Sequence, residues 1–354
     1  MKVNHEQLAQ LILKSYETKL PLFVWGAPGI GKSQTVREVA KSLAKGLKLE
    51  YSEDIADINK EDKFLVIDLR LSQLDPSDLR GLPKIDDGET KWLPPNYLPK
   101  KGHGILFLDE CNLAPPLVQA SAYQLVLDRR LGDYKLPEGY LVIAAGNRLE
   151  DKAAVFEMAS PLANRFLHCE LTIPTVEDWS KWASKNNIDG RIIAFLNFRK
   201  GYLFKFNPDA SDKAFPTPRS WEFCSKLIKG EKENGRVKFY TASAVGEGVA
   251  IEFDSFNRLT QKIDIKDYLD KPEKAELPES IDMRYALCYA LAEHYSERKN
   301  VLRKILIIAD KFGPEYGILL LRLCKAADWN HFKREVLKLK EWENLTQKIK
   351  KYIE

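Results

Sequence analysis

Gly26-Ala27-Pro28-Gly29-Ile30-Gly31-Lys32-Ser33 is the stretch on which the reading of this chain turns. An apolar run, Leu22-Phe23-Val24-Trp25, precedes it, and a helix-like run from Gln34 to Leu43 follows. Strand, glycine loop and helix, in that order, turn the spacing G-x-x-x-x-G-K-[ST] into a phosphate-binding loop. Glycines let backbone N–H groups converge on a phosphate with no Cβ in the way, and the helix N-terminus adds its partial positive charge. Gly26 through Ser33, with Gln34 at the helix start, are therefore the expected nucleotide-binding residues. Lys32 would reach the β- and γ-phosphates as a point charge, and the Ser33 hydroxyl would ligate Mg²⁺.

Working outward, further apolar runs look like strands buried on both faces: Phe64 to Leu69, Ile105 to Leu108, Tyr140 to Ala145 and, more briefly, Arg165 to Leu171. Helical patterns lie between several of them, notably Leu117 to Leu127, and His5 to Tyr16 leads into the first strand. Alternating strands and helices predict a doubly wound, mostly parallel α/β sheet. After Pro174 the pattern changes to helices: Val176 to Lys185, Arg191 to Phe198, Ser220 to Ile228, Ala242 to Phe253, Met283 to Tyr295, Val301 to Phe312, Tyr316 to Ala327 and His331 to Tyr352. Two domains are expected, 1–175 as the nucleotide-binding part and 176–354 as an all-helical part, with a subdivision near Pro278. Gly246-Glu247-Gly248 reads as a close-packing site or a break between helices.

Hydrolysis needs a metal holder, an activated water and a counter to transition-state charge. Asp109 ends a buried strand, where it can hold Mg²⁺, and Glu110 beside it can orient and deprotonate the attacking water. Asn147 ends the next apolar strand; ligand groups gather at such strand ends, and its amide could hold the water or a γ-phosphate oxygen. Two arginines are candidates to neutralise the γ-phosphate: Arg165, just before the last strand, and Arg219, at the start of a helix in the second part.

The composition is 44% hydrophobic and 30% charged over 354 residues, which excludes a disordered chain. Net charge is +4, from 55 basic against 51 acidic residues, without the basic footprint of a dedicated nucleic-acid binder. The five cysteines are scattered with no metal-ligand spacing, as expected of reduced thiols in a cytoplasmic protein. Met1 to Leu13 shows no signal-peptide pattern, and no apolar run is long enough to span a bilayer. The five histidines form no metal spacing, and the lysine-rich end, Lys333 to Lys351, reads as the solvated face of an amphipathic helix.

Taken together, these motifs resemble the MoxR-type AAA+ ATPases, in the branch with an insertion in the second helix. The loop through Ser33 resembles Walker A, and Ile105 to Glu110 resembles Walker B. Asp109-Glu110-Cys111-Asn112-Leu113-Ala114-Pro115-Pro116 is similar to the family's D-E-x-N-R-A-P-P, with Leu113 where Arg is usual. Ala145-Gly146-Asn147 resembles sensor 1, Ser160 to Phe166 the segment carrying a finger arginine, and Pro218-Arg219 the lid's sensor 2. The resemblance implies a P-loop fold with a five-stranded parallel sheet, helices on both faces, and a helical lid. It also implies ATP with Mg²⁺ and a head-to-tail ring, hexameric in kind, with Arg165 reaching a neighbour's nucleotide. Lys32, Glu110, Asn147, Arg165 and Arg219 become the expected catalytic set, and Ser33 and Asp109 the expected metal ligands.

The insertion shows directly as an overlong connection, 70–104, holding a hairpin-like piece around Asp86-Asp87-Gly88-Glu89. The resemblance suggests that it faces the ring's pore and contacts the target; the alternative is a surface excursion that only packs. A second small hairpin, Arg130 to Gly139, occupies the position of the family's pre-sensor hairpin. The function expected is ATP-driven remodelling of a protein target or insertion of a metal or cofactor, with a partner bearing a von Willebrand factor A domain. Two alternatives stand beside it. One is a nucleic-acid-stimulated motor, against which the acidic Asp75, Asp78, Asp86, Asp87 and Glu89 of the insertion argue. The other is an ATP-binding assembly switch with little turnover, against which Glu110 argues.

Overall fold

The computed structural model describes residues 1–151, 156, 158, 160–208 and 212–349. Contacts divide the chain into two compact units, Met1–Ile173 and Pro174–Glu354.

In the first unit the order is β1 (Lys2–Val3), α1 (His5–Thr18), β2 (Leu22–Trp25), α2 (Lys32–Leu47), β3 (Glu50–Ser52), β4 (Lys63–Arg70) and α3 (Pro76–Arg80). Then come β5 (Leu82–Asp86), β6 (Glu89–Leu93), β7 (His103–Asp109), α4 (Pro116–Leu127), β8 (Arg130–Leu131), β9 (Tyr134–Lys135), β10 (Tyr140–Gly146), α5 (Ser160–Ala163) and β11 (Leu167–Leu171). The main sheet has seven strands in the order β1-β11-β2-β10-β7-β4-β3, and every pairing in it is parallel. The five expected strands form its contiguous middle, β11-β2-β10-β7-β4. The two-residue β1 and three-residue β3 extend its edges and are too short to leave a periodic trace in the sequence. The last strand starts at Leu167, so Arg165 lies in the turn before it rather than in the strand.

The central runs become strands because both sheet faces are covered there: all seven residues of β10 are buried, whereas β11, expected to be buried on both faces, leaves Leu167 and His168 exposed. Helix α1 starts cleanly because Asn4 and Gln7 form a reciprocal capping box, at 2.8 and 3.0 Å. The register pairs Trp25 with Gly146, Leu108 with Ala144, and Asp109 with Arg70. The carboxyl ends of β2, β10, β7 and β4 therefore finish side by side. In an open parallel sheet that rim is where ligands collect.

The insertion folds as α3 followed by the antiparallel hairpin β5–β6, turned at Asp87-Gly88 with both residues at positive φ, as in a type I′ turn. Its acidic residues are partly spoken for. Asp75 and Asp78 form the capping box of α3, and Asp86 pairs with Lys91 at 2.9 Å. The second hairpin, β8–β9, also forms as expected.

The second unit is helical: α6 (Val176–Lys185), α7 (Gly190–Phe198), α8 (Pro218–Ile228), α9 (Asn234–Val245), α10 (Glu247–Lys262) and α11 (Lys266–Asp270). It continues with α12 (Ile281–Glu297), α13 (Leu302–Lys311), α14 (Gly313–Ala327), α15 (Trp329–Val336) and α16 (Lys340–Ile349). The run Ala242–Phe253 is divided at Gly246, whose φ of 91° ends α9, so the glycine pair marks a break. The single helix expected over His331–Tyr352 is instead two, α15 and α16, and 350–352 lie outside the described residues. Among the described residues one core runs from Val176 to Leu345 across Pro278. Phe195 is at its centre, edge-on to Phe253 at 5.3 Å and close to Trp221 at 5.8 Å. Among the described residues, no helix is long and apolar enough to cross a membrane.

Candidate functional site at the sheet rim

The phosphate loop spans the gap between β2 and α2. Gly29 and Gly31 take φ of 75° and 100°, values that a side chain would strain, and this turns the backbone over the helix start. Gly31 stands at the N-cap position of α2 with no side-chain cap, so the first N–H groups of that helix are not claimed by a capping side chain. The His5 ring braces the loop from outside, with Nε2 2.8 Å from the Ile30 carbonyl oxygen. Gln34 turns along the helix and donates to Glu38 at 3.1 Å.

Four of the candidate side chains meet here. The Lys32 ammonium donates to the carbonyls of Gly26 and Ala27 at 2.6 and 3.0 Å and to Asn147 Oδ1 at 3.2 Å. Ser33 Oγ donates to Asp109 Oδ2 at 3.0 Å. Residues from β2's loop, from the end of β7 and from the end of β10 are thus joined, although they are far apart in sequence. Glu110 follows Asp109 in a left-handed conformation, φ 53°, unusual for a residue with a side chain. Its N–H donates to Asp109 Oδ1 at 2.9 Å, while its carboxylate turns to accept from Ser72 Oγ at 2.8 Å. Two adjacent carboxylates are thereby sent in different directions, one toward Ser33 and one toward Ser72.

The residues fit Mg²⁺. Ser33 and Asp109 offer hard oxygen donors, and Mg²⁺ is usually held by one or two carboxylates with substrate phosphates and water. Among the described residues, no group of three or more His, Cys, Asp or Glu forms an all-protein metal site. Asp68 lies near Asp109; burial, and then the neighbouring Asp109 carboxylate, push its pKa up. Arg37 satisfies one Asp68 oxygen at 2.8 Å, but Oδ1 is buried with no hydrogen-bond partner among the described residues. A cation at Asp109 would relieve that crowding of negative charge.

Arg165 is exposed in the turn between α5 and β11, and Arg219 is exposed in the first turn of α8, in the second unit. The remaining phosphate-loop residues lie in the loop as expected. Three contributors lay outside the sequence reading. Ser72 reaches Glu110 only because β4 and β7 end level. Asn112 was visible in the D-E-C-N segment without an assigned task; its buried amide bonds to the backbone of Asn147. Arg148, next to Asn147, is fastened to Asp151 at 2.7 Å and to Glu170 of β11 at 3.2 Å.

No protein-family model matches the chain, and no curated protein does. Several solved structures are similar in fold. One, named as a candidate ATPase from Cytophaga hutchinsonii, shares 14% identity over 98% of this chain and 90% of its own, with a TM-score of 0.36. NtrX from Brucella abortus in complex with ADP shares 16% over 98% and 67%, with a TM-score of 0.39. A point mutant of RuvB from Thermotoga maritima shares 14% over 84% and 78%, with a TM-score of 0.34. The chain has the P-loop α/β fold with a parallel central sheet, followed by a helical region.

Proposed function

We propose that this chain is an AAA+ ATPase of MoxR type, which binds ATP with Mg²⁺, assembles as a ring and uses hydrolysis to remodel or mature a protein target. The observation that carries the reading is the joining of Lys32 to Asn147 and of Ser33 to Asp109 on one rim of a parallel sheet. The loop N–H groups and Lys32 would take the β- and γ-phosphates. Ser33 and Asp109 would hold Mg²⁺, which supplies charge neutralisation at the phosphates when bound. Glu110 is the base that orients water, and Asn147 is the neutral amide on the γ-phosphate side. Arg165, exposed before β11, suits a finger presented to a neighbouring subunit, and Arg219 suits a lid sensor. The first unit is then the nucleotide-binding domain and the second the lid with its helical extension.

The exposed hairpin β5–β6 is the target-contacting element, and a partner with a von Willebrand factor A domain and a hexameric ring follow from the same family reading. The test is ATP turnover by the assembled chain against its Glu110→Gln variant. Turnover in the native chain that falls at least a hundredfold in the variant, with ATP binding retained, supports the reading. Equal rates in both favour an assembly switch, and no nucleotide uptake at all ends the proposal. Strong stimulation by DNA would instead favour a nucleic-acid motor.

A further inference from the structure

We infer that Asn112 is a positioning residue that locks Asn147 in register with Asp109 and Glu110, an inference that rests on the ATPase reading above. Asn112 sits in the short 3-10 turn Cys111–Leu113, just after the two carboxylates, and is 2% exposed. Its Nδ2–H donates to the Asn147 carbonyl at 2.7 Å, and its Oδ1 accepts the Asn147 N–H at 3.1 Å. A planar amide thus stands in for a neighbouring strand at the point where β10 runs out.

Both backbone groups of Asn147 are consumed by this clamp, so its side chain is held at a fixed height above the sheet, with Oδ1 toward Lys32. The turn itself is held at both ends. Leu113 N–H donates to the Glu110 carbonyl at 2.9 Å, and Phe156 N–H donates to the Asn112 carbonyl at 2.8 Å.

Two features show that the site is built around this amide. Gly146 leaves room for it: a Cβ there would lie 2.5 Å from Asn112 Oδ1 and 2.9 Å from the Phe23 ring. No other side chain meets both demands. Asp offers no donor and would set a carboxylate against the Asn147 carbonyl, Ala leaves a buried N–H and C=O unpaired, and Gln carries an extra methylene into a filled space. Asn112 therefore ties the strand end that carries the metal ligand and the base to the strand end that carries the sensing amide. Buried and bonded to the Asn147 backbone, it acts through Asn147.

The experiment is a double-mutant cycle on the full chain, with Asn112→Ala, Asn112→Asp and Asn147→Ala, read as kcat and KM for ATP and by hydrogen exchange. Both Asn112 variants should lower kcat at least about tenfold with KM changed less than about threefold. The double variant Asn112→Ala/Asn147→Ala should be no slower than Asn147→Ala alone, because the side chain being positioned is already gone. Exchange at the amides around Asn147 should rise while those of β2 stay protected. Native-like kcat in Asn112→Ala, losses that add in the double variant, or exchange raised equally across β2 would overturn the inference while leaving the ATPase reading intact. A native chain without ATP turnover would overturn both.

Discussion

The rim of the main sheet and the inserted hairpin both belong to the first unit, and they are built in opposite ways. At the rim, side chains from distant parts of the chain are bonded to one another: Lys32 to Asn147, Ser33 to Asp109, Glu110 to Ser72. In the hairpin the bonds are local, Asp86 to Lys91, and large apolar side chains face solvent, with Ile85 80% and Leu82 69% exposed. Preorganised polar groups suit chemistry, since they need no rearrangement as charge develops. An exposed apolar ridge on a two-stranded ribbon contributes little to its own fold and suits contact with another chain.

This contrast can be broken experimentally, most severely at the loop. Lys32→Ala should weaken ATP binding about a hundredfold or more, because it removes the cation that the phosphate loop itself carries. Isothermal titration reads this, and retained affinity would contradict the loop assignment. Arg165→Ala should leave binding nearly unchanged and slow hydrolysis by about three orders of magnitude. Mixing it with Glu110→Gln subunits should restore part of the rate if the finger acts across subunits; lack of rescue places it in its own subunit.

The smallest effect belongs to the hairpin. Ile85→Ser should change stability by no more than about 0.5 kcal/mol and leave basal turnover alone, since the side chain is largely exposed. It should still reduce remodelling of a target recovered with the Glu110→Gln variant in ATP. Unchanged remodelling would make the hairpin a surface excursion only.

Stiff local rules were legible before folding. Continuous apolar runs marked four of the five middle strands and a shorter run marked β11, the glycines marked the loop between β2 and α2, and Asp86-Asp87-Gly88-Glu89 marked a hairpin turn. Elements of two or three residues, β1 and β3, were not, because their pairing comes from neighbours and not from periodicity. The helical part was read well where apolar spacing persists, and misread where backbone geometry intervenes. At Gly246 one run becomes two helices, and beyond His331 one helix becomes two.

By itself the sequence determined which residue types stand at each strand end, because those choices follow from local chemistry: a lysine and hydroxyl after the glycines, adjacent carboxylates at the end of β7, an amide after β10. Which of them touch was decided by the parallel register, which sets β2, β10, β7 and β4 level and so brings Ser72 to Glu110 and Asn112 to Asn147. No local pattern encodes those pairs, since each joins residues whose only common property is the height at which their strands stop.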